Sequence, residues 1–332
     1  MNRKNILITG GLGLIGSTLI SHLNRKNKDF YIVCVDTFSK NIKWKYLREI
    51  IVDELLTYEE FKQRKEEYIT NADQIFHLGA CSSTTEESLL YLYENNYRTT
   101  IDIIELFIKC KKSTGNLEKK LVLASSAATY GDGSNGFKDD IKQLEKLRPL
   151  NPYGISKHLV DIYLKRKSYD SDVLSLKFFN IFGINEFHKG PMRSIAHWGV
   201  ESILENNSIK LFRSLNPMYA DGCQVRDFLD VDKAVEIMVY LSEKSYGIHN
   251  VGSGQTITWN EMAESIILKL SEIEKNLKIE YIDMPKHLEG KYQYFTCAEM
   301  SRNILSKELY PKKSEILEVL SNYSLDIYKE YK

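Results

Sequence analysis

The 332-residue sequence has no excess of either charge, its 45 Lys and Arg balancing 45 Asp and Glu. That removes the electrostatic footprint of a nucleic-acid-binding or anionic-membrane-binding protein. Cysteine is scarce and scattered. The five (Cys34, Cys81, Cys110, Cys223, Cys297) are odd in number and form no CxxC pair. This argues against a disulfide framework or a zinc site, so a cytoplasmic, reduced setting with no bound metal is expected. The N-terminal apolar run, residues 6–9, is too short for a membrane span and passes straight into glycines, so it reads as a strand rather than a signal peptide. Also absent are internal repeats, low-complexity tracts and any Pro/Gly-rich linker, so nothing in the composition cuts the chain into separate beads.

What is present alternates. Residues 6–9, 31–35, 74–78, 121–125 and 173–179 are continuous apolar runs rich in β-branched residues, as buried parallel strands are. Between them, 15–25, 88–111 and 153–167 show apolar residues at helical spacing. Strand, helix and strand repeated in this way imply right-handed crossovers and a doubly wound α/β sheet. Beyond residue 180 the pattern loosens. Residues 192–206, 259–273 and 313–328 read as helices, 209–212 as a strand and 216–224 as a polar loop. With no linker between the two patterns, a smaller α/β lobe should interleave with the sheet. The expected division is 1–180 plus about 225–256 for the sheet domain and 181–224 plus about 257–332 for the second lobe.

The run Thr9-Gly10-Gly11-Leu12-Gly13-Leu14-Ile15-Gly16 leaves the first strand and opens the first helix. Gly10 suits the tight turn, Gly13 a close approach of backbone to a pyrophosphate, and Gly16 the packing of helix on strand, the helix N-terminus facing the phosphates. Glycines alone are a weak signal. Here an acid, Asp36, stands at the end of the second strand, where a ribose-binding residue belongs. Strand, loop, helix and acid together predict a Rossmann-type dinucleotide site. Asp36 favours NAD through the ribose hydroxyl, whereas Lys40, Lys43 and Lys45 just beyond it could meet a 2′-phosphate, so NADP is expected with NAD as the alternative.

At the predicted start of a helix, Tyr153 and Lys157 are four residues apart and share one face. An ammonium beside a phenol, close to a cationic nicotinamide, would pull the phenol down toward neutrality and suit it to acid/base work. The segment 124–131, ending the fourth strand, offers a hydroxyl at the sheet edge where such folds bind ligands. Ser126 is the expected catalytic hydroxyl and Ser125 the one satisfying backbone.

Taken together, the glycine loop, Ser125-Ser126-Ala127-Ala128-Thr129-Tyr130-Gly131 and Tyr153-Gly154-Ile155-Ser156-Lys157 resemble the extended short-chain dehydrogenases/reductases acting on nucleotide sugars. Within them, Leu78-Gly79-Ala80-Cys81-Ser82-Ser83-Thr84-Thr85-Glu86, Glu94-Asn95-Asn96-Tyr97 and His188-Lys189-Gly190 are similar to segments of the ADP-L-glycero-D-manno-heptose 6-epimerases. The resemblance continues to residues 290–293 and so covers nearly the whole chain. It implies inversion of C6 of a nucleotide-linked heptose for lipopolysaccharide core, through a transient 6-ketone and a tightly held NADP. It also implies Tyr153 and Lys189 as acid/base residues for the two faces. Cofactor contacts would come from Leu14, Ile15, Asp36, Thr37, Lys43, Leu78, Ala80, Ser82, Asn95 and Lys157. Contacts to the ADP-sugar would come from Asn180, Lys189, Phe212, Arg213, Arg226 and Tyr292. Family members are homo-oligomers, pentamers among them.

The chain departs from the family pattern at Thr37, Ile184, Pro191, Trp198 and Lys291. Arg226 has a plainer reading as an ion pair with Asp227 or Asp230, and His197 one as a helix-face residue. His22, His77, His158, His249 and His287 show no ligand spacing, and Cys81 lacks a partner base. Three rivals stay open. A 4-epimerase would need only Tyr153. A 4,6-dehydratase would normally carry an Asp-Glu pair in the stretch that here reads Ser126-Ala127-Ala128-Thr129. A non-catalytic dinucleotide sensor would have no use for the Tyr–Lys pair.

Overall fold

A computed structural model describes residues 3–26, 29–38, 41–289, 292–299 and 309–332. Seven parallel strands form the central sheet: β1 (Lys4–Thr9), β2 (Phe30–Asp36), β3 (Glu54–Thr57), β4 (Gln74–His77), β5 (Lys120–Ser126), β6 (Val173–Phe178) and β11 (Gly247–Val251). Their spatial order is β11-β6-β5-β4-β1-β2-β3. The order runs outward from β1 in both directions, so the strands diverge between β1 and β4, where a doubly wound sheet leaves a crevice at its carboxyl edge.

The helices are α1 (Leu14–Arg25), α2 (Trp44–Leu47), α3 (Tyr58–Asn71), α4 (Leu89–Leu92), α5 (Thr99–Thr114), α6 (Pro152–Lys167), α7 (Ile195–Asn206), α8 (Val231–Lys244), α9 (Trp259–Leu270) and α10 (Lys313–Tyr331). Helices α1 and α8 cover one face of the sheet, burying Leu19, Ile20, Ala234 and Met238 against Ile6, Ile8, Leu174 and Leu176. Helices α3, α5 and α6 cover the other, where Phe61, Phe107 and Leu164 meet Leu7, Ile75, Leu121 and Val173. Both faces are dry, which explains why the strands read as unbroken apolar runs. A third core gathers Ile195, Val200, Ile209, Met262, Ile266, Ile316 and Leu320 from α7, β8 (Ser208–Phe212), α9 and α10. Around it, β8 pairs with β13 (Lys278–Ile282), β7 (Asn180–Phe182) with β10 (Phe228–Asp230), and β9 (Val225–Arg226) with β12 (Ile257–Thr258).

In the sheet domain, β3, α3, α8 and β11 escaped the periodicity. Strand β3 is four residues at the sheet edge, and α3 is so rich in charge that only Phe61, Tyr68 and Ile69 are buried. What starts α3 is local: the Thr57 hydroxyl accepts from Glu60 N, and the Glu60 carboxylate accepts from Thr57 N, a reciprocal cap. The long helix expected over 88–111 is present but not uniform. A π-turn, Tyr93–Arg98, separates α4 from α5. Such turns rotate side chains off the regular helical face and recur at functional sites; this one carries Asn95 and Asn96.

Candidate active site

The glycine loop is built as its spacing requires. Gly10 has φ +69°, and a methyl group there would lie 2.6 Å from Gly79 N, while one at Gly16 would collide with the carbonyl of Gly10. At Gly13 the nearest atom is Gly10 O at 3.2 Å. Packing within the protein therefore dictates glycine at Gly10 and Gly16. At Gly13 the space lies beside the start of α1, which no side chain caps. Leu14 and Ile15 form the first turn.

Asp36 is buried and already holds three donors. Its carboxylate accepts from Leu12 N (2.7 Å), Thr37 N (2.6 Å) and Lys43 Nζ (2.5 Å). The acid thus fixes the glycine loop and draws a cation to the end of β2, with the Lys43 side chain only 12% exposed. Lys40 lies outside the described residues, and Lys45 turns away to Glu330.

Helix α6 begins at a cap, Asn151 Oδ1 accepting from Gly154 N at 2.7 Å, with Pro152 in the first turn. A methyl group on Gly154 would stand 2.8 Å from Ala128 O, so the helix packs tightly on the turn that follows β5. This close approach sets the Tyr153 hydroxyl beside Ser126, whose hydroxyl favours the ionised phenol. Ser125 does not satisfy backbone as expected: its Oγ donates to Asp161 Oδ2 (2.9 Å), and it is Ser126 Oγ that accepts from a backbone amide, Ala128 N (3.1 Å). Lys157 is buried, donates to Ala124 O (2.8 Å), and is lowered to about 8 by burial, against the field of Asp161. The expectation that Lys157 draws the phenol down is corrected here. In the protein's own field burial dominates and holds Tyr153 above the ordinary phenol value, with only the Ser126 hydroxyl opposing it.

Behind this group stands a buried ion pair that sequence reasoning missed. Asp161 and Lys177 are both fully buried, 2.6 Å apart. Asp161 also accepts from Ser175 Oγ, and Lys177 donates to Thr129 Oγ1 and lies over the Tyr130 ring. Two signals were available: Asp161 continues the four-residue spacing of Tyr153 and Lys157, and a lysine inside an otherwise apolar strand must have a partner.

The segment after β4 crosses the crevice. Leu78 N bonds to Thr9 O and Gly79 N to Thr9 Oγ1, while Ala80 and Ser82 lead outward. Asn96 pins this segment, accepting from Cys81 N (2.8 Å) and donating to Cys81 O and Ser156 Oγ (3.0 Å each). The expected cofactor residue Asn95 is its half-exposed neighbour, bonded to Tyr91. Asn96 was overlooked because the π-turn, not a regular helix, decides which of the two asparagines faces inward.

Lys189 sits in a 3₁₀ turn, Phe187–Met192. The turn is held between the two cofactor-side segments: Tyr46, just past Lys43, bonds His188 Nδ1 (3.1 Å), and Thr84 Oγ1 approaches Met192 Sδ (3.9 Å). Lys189 Nζ lies 3.8 Å from the buried Glu186. His197 is a core residue, bonded to Tyr323 and edge-on to Phe187, and burial lowers it to about 4.

The residues expected at the sugar nucleotide divide. Arg226 is buried, lies over the Tyr292 ring, and donates to Val225 O. Tyr292 is edge-on to Phe212 and accepts from Trp259 Nε1. The plainer reading of Arg226 fails: Asp227 is taken by Ser253, Gly254 and Ala298, and Asp230 caps α8. Among the described residues no carboxylate lies within ion-pair distance of Arg226, an arrangement that costs several kcal/mol unless an anion is supplied. Asn180 donates to Asp227 O. Arg213 is not part of the Arg226 group; its exposed guanidinium pairs with Asp283. Gly290 and Lys291 lie outside the described residues, as does the side chain of His287.

A parallel sheet with this glycine loop, an acid closing β2, and Tyr153, Ser126 and Lys157 gathered at its carboxyl edge defines an enzyme of the nicotinamide-dinucleotide class that works on a carbinol centre. The model of the NAD dependent epimerase/dehydratase family matches residues 6–252, and the chain belongs to that family. An ADP-L-glycero-D-manno-heptose-6-epimerase from Nitratidesulfovibrio vulgaris is 40% identical over 308 residues, 89% of this chain and 90% of the relative. Among solved structures, that of the Helicobacter pylori ADP-L-glycero-D-manno-heptose-6-epimerase is 26% identical with TM-score 0.75, over 98% of this chain and 96% of the other. A UDP-N-acetylglucosamine 4-epimerase from Methanobrevibacter ruminantium, in complex with UDP-N-acetylmuramic acid, is also 26% identical, with TM-score 0.77 and full coverage of both chains.

Proposed function

We infer that the protein inverts C6 of ADP-D-glycero-β-D-manno-heptose to the L-glycero epimer without net oxidation. The heptose epimerases support the substrate. The observation that carries the reading is Lys189, a second mostly buried acid/base candidate outside the Tyr153–Ser126–Lys157 group. Bound dinucleotide supplies a hydride acceptor and then a hydride donor, and its cationic ring favours the Tyr153 phenolate.

Tyr153, oriented by Ser126, takes the hydroxyl proton of one epimer as its C6–H bond breaks. After the ketone turns over in the site, the Lys189 ammonium gives a proton to the oxygen as the new C–H bond forms on the other face. The return direction uses the same two groups in exchanged roles. Arg226, Tyr292 and Phe212 hold the nucleotide diphosphate, a guanidinium being suited to paired phosphate oxygens. Asn180 would contact the sugar.

Lys189→Ala separates this reading from a 4-epimerase. Wild type and variant are incubated with the ADP-heptose and with UDP-glucose, and the products followed by proton NMR. We expect C6 inversion by wild type, a drop of about 10²–10⁴-fold in the variant, the usual worth of one acid/base group, and no C4 inversion by either. Undiminished turnover in the variant overturns the reading.

The dinucleotide is taken to be NADP. The pairing of Lys43 with Asp36, which keeps a cation at the end of β2 where a 2′-phosphate would lie, supports this reading. Loss of a charge-assisted contact worth about 1.5–3 kcal/mol should weaken NADP binding to Lys43→Ala by roughly 10–100-fold and leave NAD binding nearly unchanged. Titration of the stripped protein with each dinucleotide checks it. The enzyme would serve in the cytoplasm as a homo-oligomer.

A further inference from the structure

Among the described residues near this crevice, Lys157 and Lys177 are held by close acceptors and Lys189 is not. Lys157 donates to Ala124 O at 2.8 Å, and Lys177 donates to Thr129 Oγ1 at 2.5 Å and Asp161 Oδ2 at 2.6 Å. Lys189 Nζ stands 3.8 Å from Glu186 Oε2, an ion-pair rather than a hydrogen-bond distance. Among the described residues no acceptor holds it more closely.

Glu186 is the more unusual partner. It is fully buried, and an isolated carboxylate is costly to bury. Its two oxygens are fixed by the residue before α7, Oε1 accepting from Ser194 Oγ (2.5 Å) and Oε2 from Ser194 N (2.9 Å). The backbone between Glu186 and Ser194 is also closed on itself: Lys189 N bonds to Glu186 O (2.9 Å), and Arg193 N and Nε both bond to Gly190 O. Arg193, the nearest alternative cation in the turn, is spent on Glu201 at 2.7 Å. Glu186 therefore has one ammonium to face, that of Lys189.

We propose that Glu186 is a positioning residue for the second acid/base: its buried carboxylate keeps the Lys189 ammonium charged and in place while leaving its protons free to be donated. The proposal rests on the reading of Lys189 given above and names how that residue is set up for its task. A tight hydrogen bond would capture the proton that must reach substrate oxygen. No counter-ion at all would let burial strip the proton from Lys189. An anion held rigidly at 3.8 Å by donors other than the lysine avoids both outcomes.

The signs agree with this geometry. Burial lowers Lys189 and the Glu186 carboxylate opposes it, while burial raises Glu186 and Lys189 opposes that. The other titratable groups around the pair come from four elements: Tyr46 on α2, His188 in the turn, His197 on α7 and Tyr323 on α10. Burial raises Tyr46 to about 12 and raises Tyr323, and it lowers His197 to about 4, so these three keep their neutral form across the neutral range.

The test reads Lys189 itself and needs no sugar substrate. Lysines of the dinucleotide-loaded protein are labelled as ¹³C-dimethylamines, the Lys189 resonance is assigned by its absence in Lys189→Arg, and its titration midpoint is followed by NMR. In Glu186→Gln, which keeps an oxygen for Ser194 N, the midpoint should fall by about one pH unit or more, as expected when an opposite charge within ∼4–6 Å is removed. Turnover that starts from protonated Lys189 should lose its alkaline limb at correspondingly lower pH, and Glu186→Asp should restore part of the shift. A folded Glu186→Gln with an unchanged Lys189 midpoint overturns the proposal. Ser194→Ala provides an independent arm should Glu186→Gln not fold. With one donor removed from the carboxylate and its charge intact, the Lys189 midpoint should rise; an unmoved midpoint there is equally fatal. Absence of heptose turnover with a normal Lys189–Glu186 titration would instead count against the substrate assignment alone.

Discussion

Tyr153→Phe is expected to lower epimerisation by about 10²–10⁴-fold, the range for loss of a positioned general acid/base, while the dinucleotide stays bound. The ring remains in its buried place beside the turn after β5. Ser126 keeps a partner when the phenol is gone, since its Oγ also accepts from Ala128 N at 3.1 Å. The fold should therefore notice little, and the loss should fall on turnover rather than on KM. Initial rates by proton NMR, with dinucleotide content measured on the same samples, check both halves. A variant within tenfold of wild type would remove Tyr153 from the chemistry.

The largest effect on stability should come from the charges behind the site. Lys177→Met leaves Asp161 buried with two hydroxyl donors and no counter-ion. Breaking such a pair on one side costs about 3–5 kcal/mol. Asp161→Asn should cost a similar amount, because Lys177 then lies buried against Thr129 and the Tyr130 ring alone. Urea unfolding at fixed dinucleotide saturation measures it, since bound ligand itself shifts the midpoint. The double variant Asp161→Leu with Lys177→Met should recover part of the loss, because no charge is left stranded. If the single variants unfold at the wild-type midpoint, the pair contributes nothing to the fold.

Much of this molecule was legible in the sequence because its signals are local. A glycine loop between a strand and a helix has one geometry, and Asp36 at the end of β2 is where that geometry places it. The four-residue spacing of Tyr153 and Lys157 survives because α6 is a regular helix. Where regularity fails, the reading fails with it. The π-turn brings Asn96 rather than Asn95 onto Cys81, and periodicity cannot show that. The charged helix α3 lacks the apolar stripe that announces a helix. Glu186, Asp161 and Lys177 escaped for another reason: their roles depend on partners distant in sequence or on burial, neither of which spacing reports. For Arg226 the sequence offered a substrate contact or an ion pair, and only the structure shows that Asp227 and Asp230 are occupied elsewhere, leaving the guanidinium without a carboxylate among the described residues. Arg213, adjacent to Phe212 in sequence, is directed to the surface because successive residues at a strand end point opposite ways.

Inversion without net oxidation requires a hydride that leaves and returns within one site. The direct test is to incubate the purified protein with ADP-D-glycero-β-D-manno-heptose, adding no nicotinamide, and to follow the C6 proton by NMR. Growth of the L-glycero epimer to a stable mixture, with no ketone accumulating and no dinucleotide consumed, is the predicted result. An unchanged spectrum from folded, dinucleotide-loaded protein would contradict it.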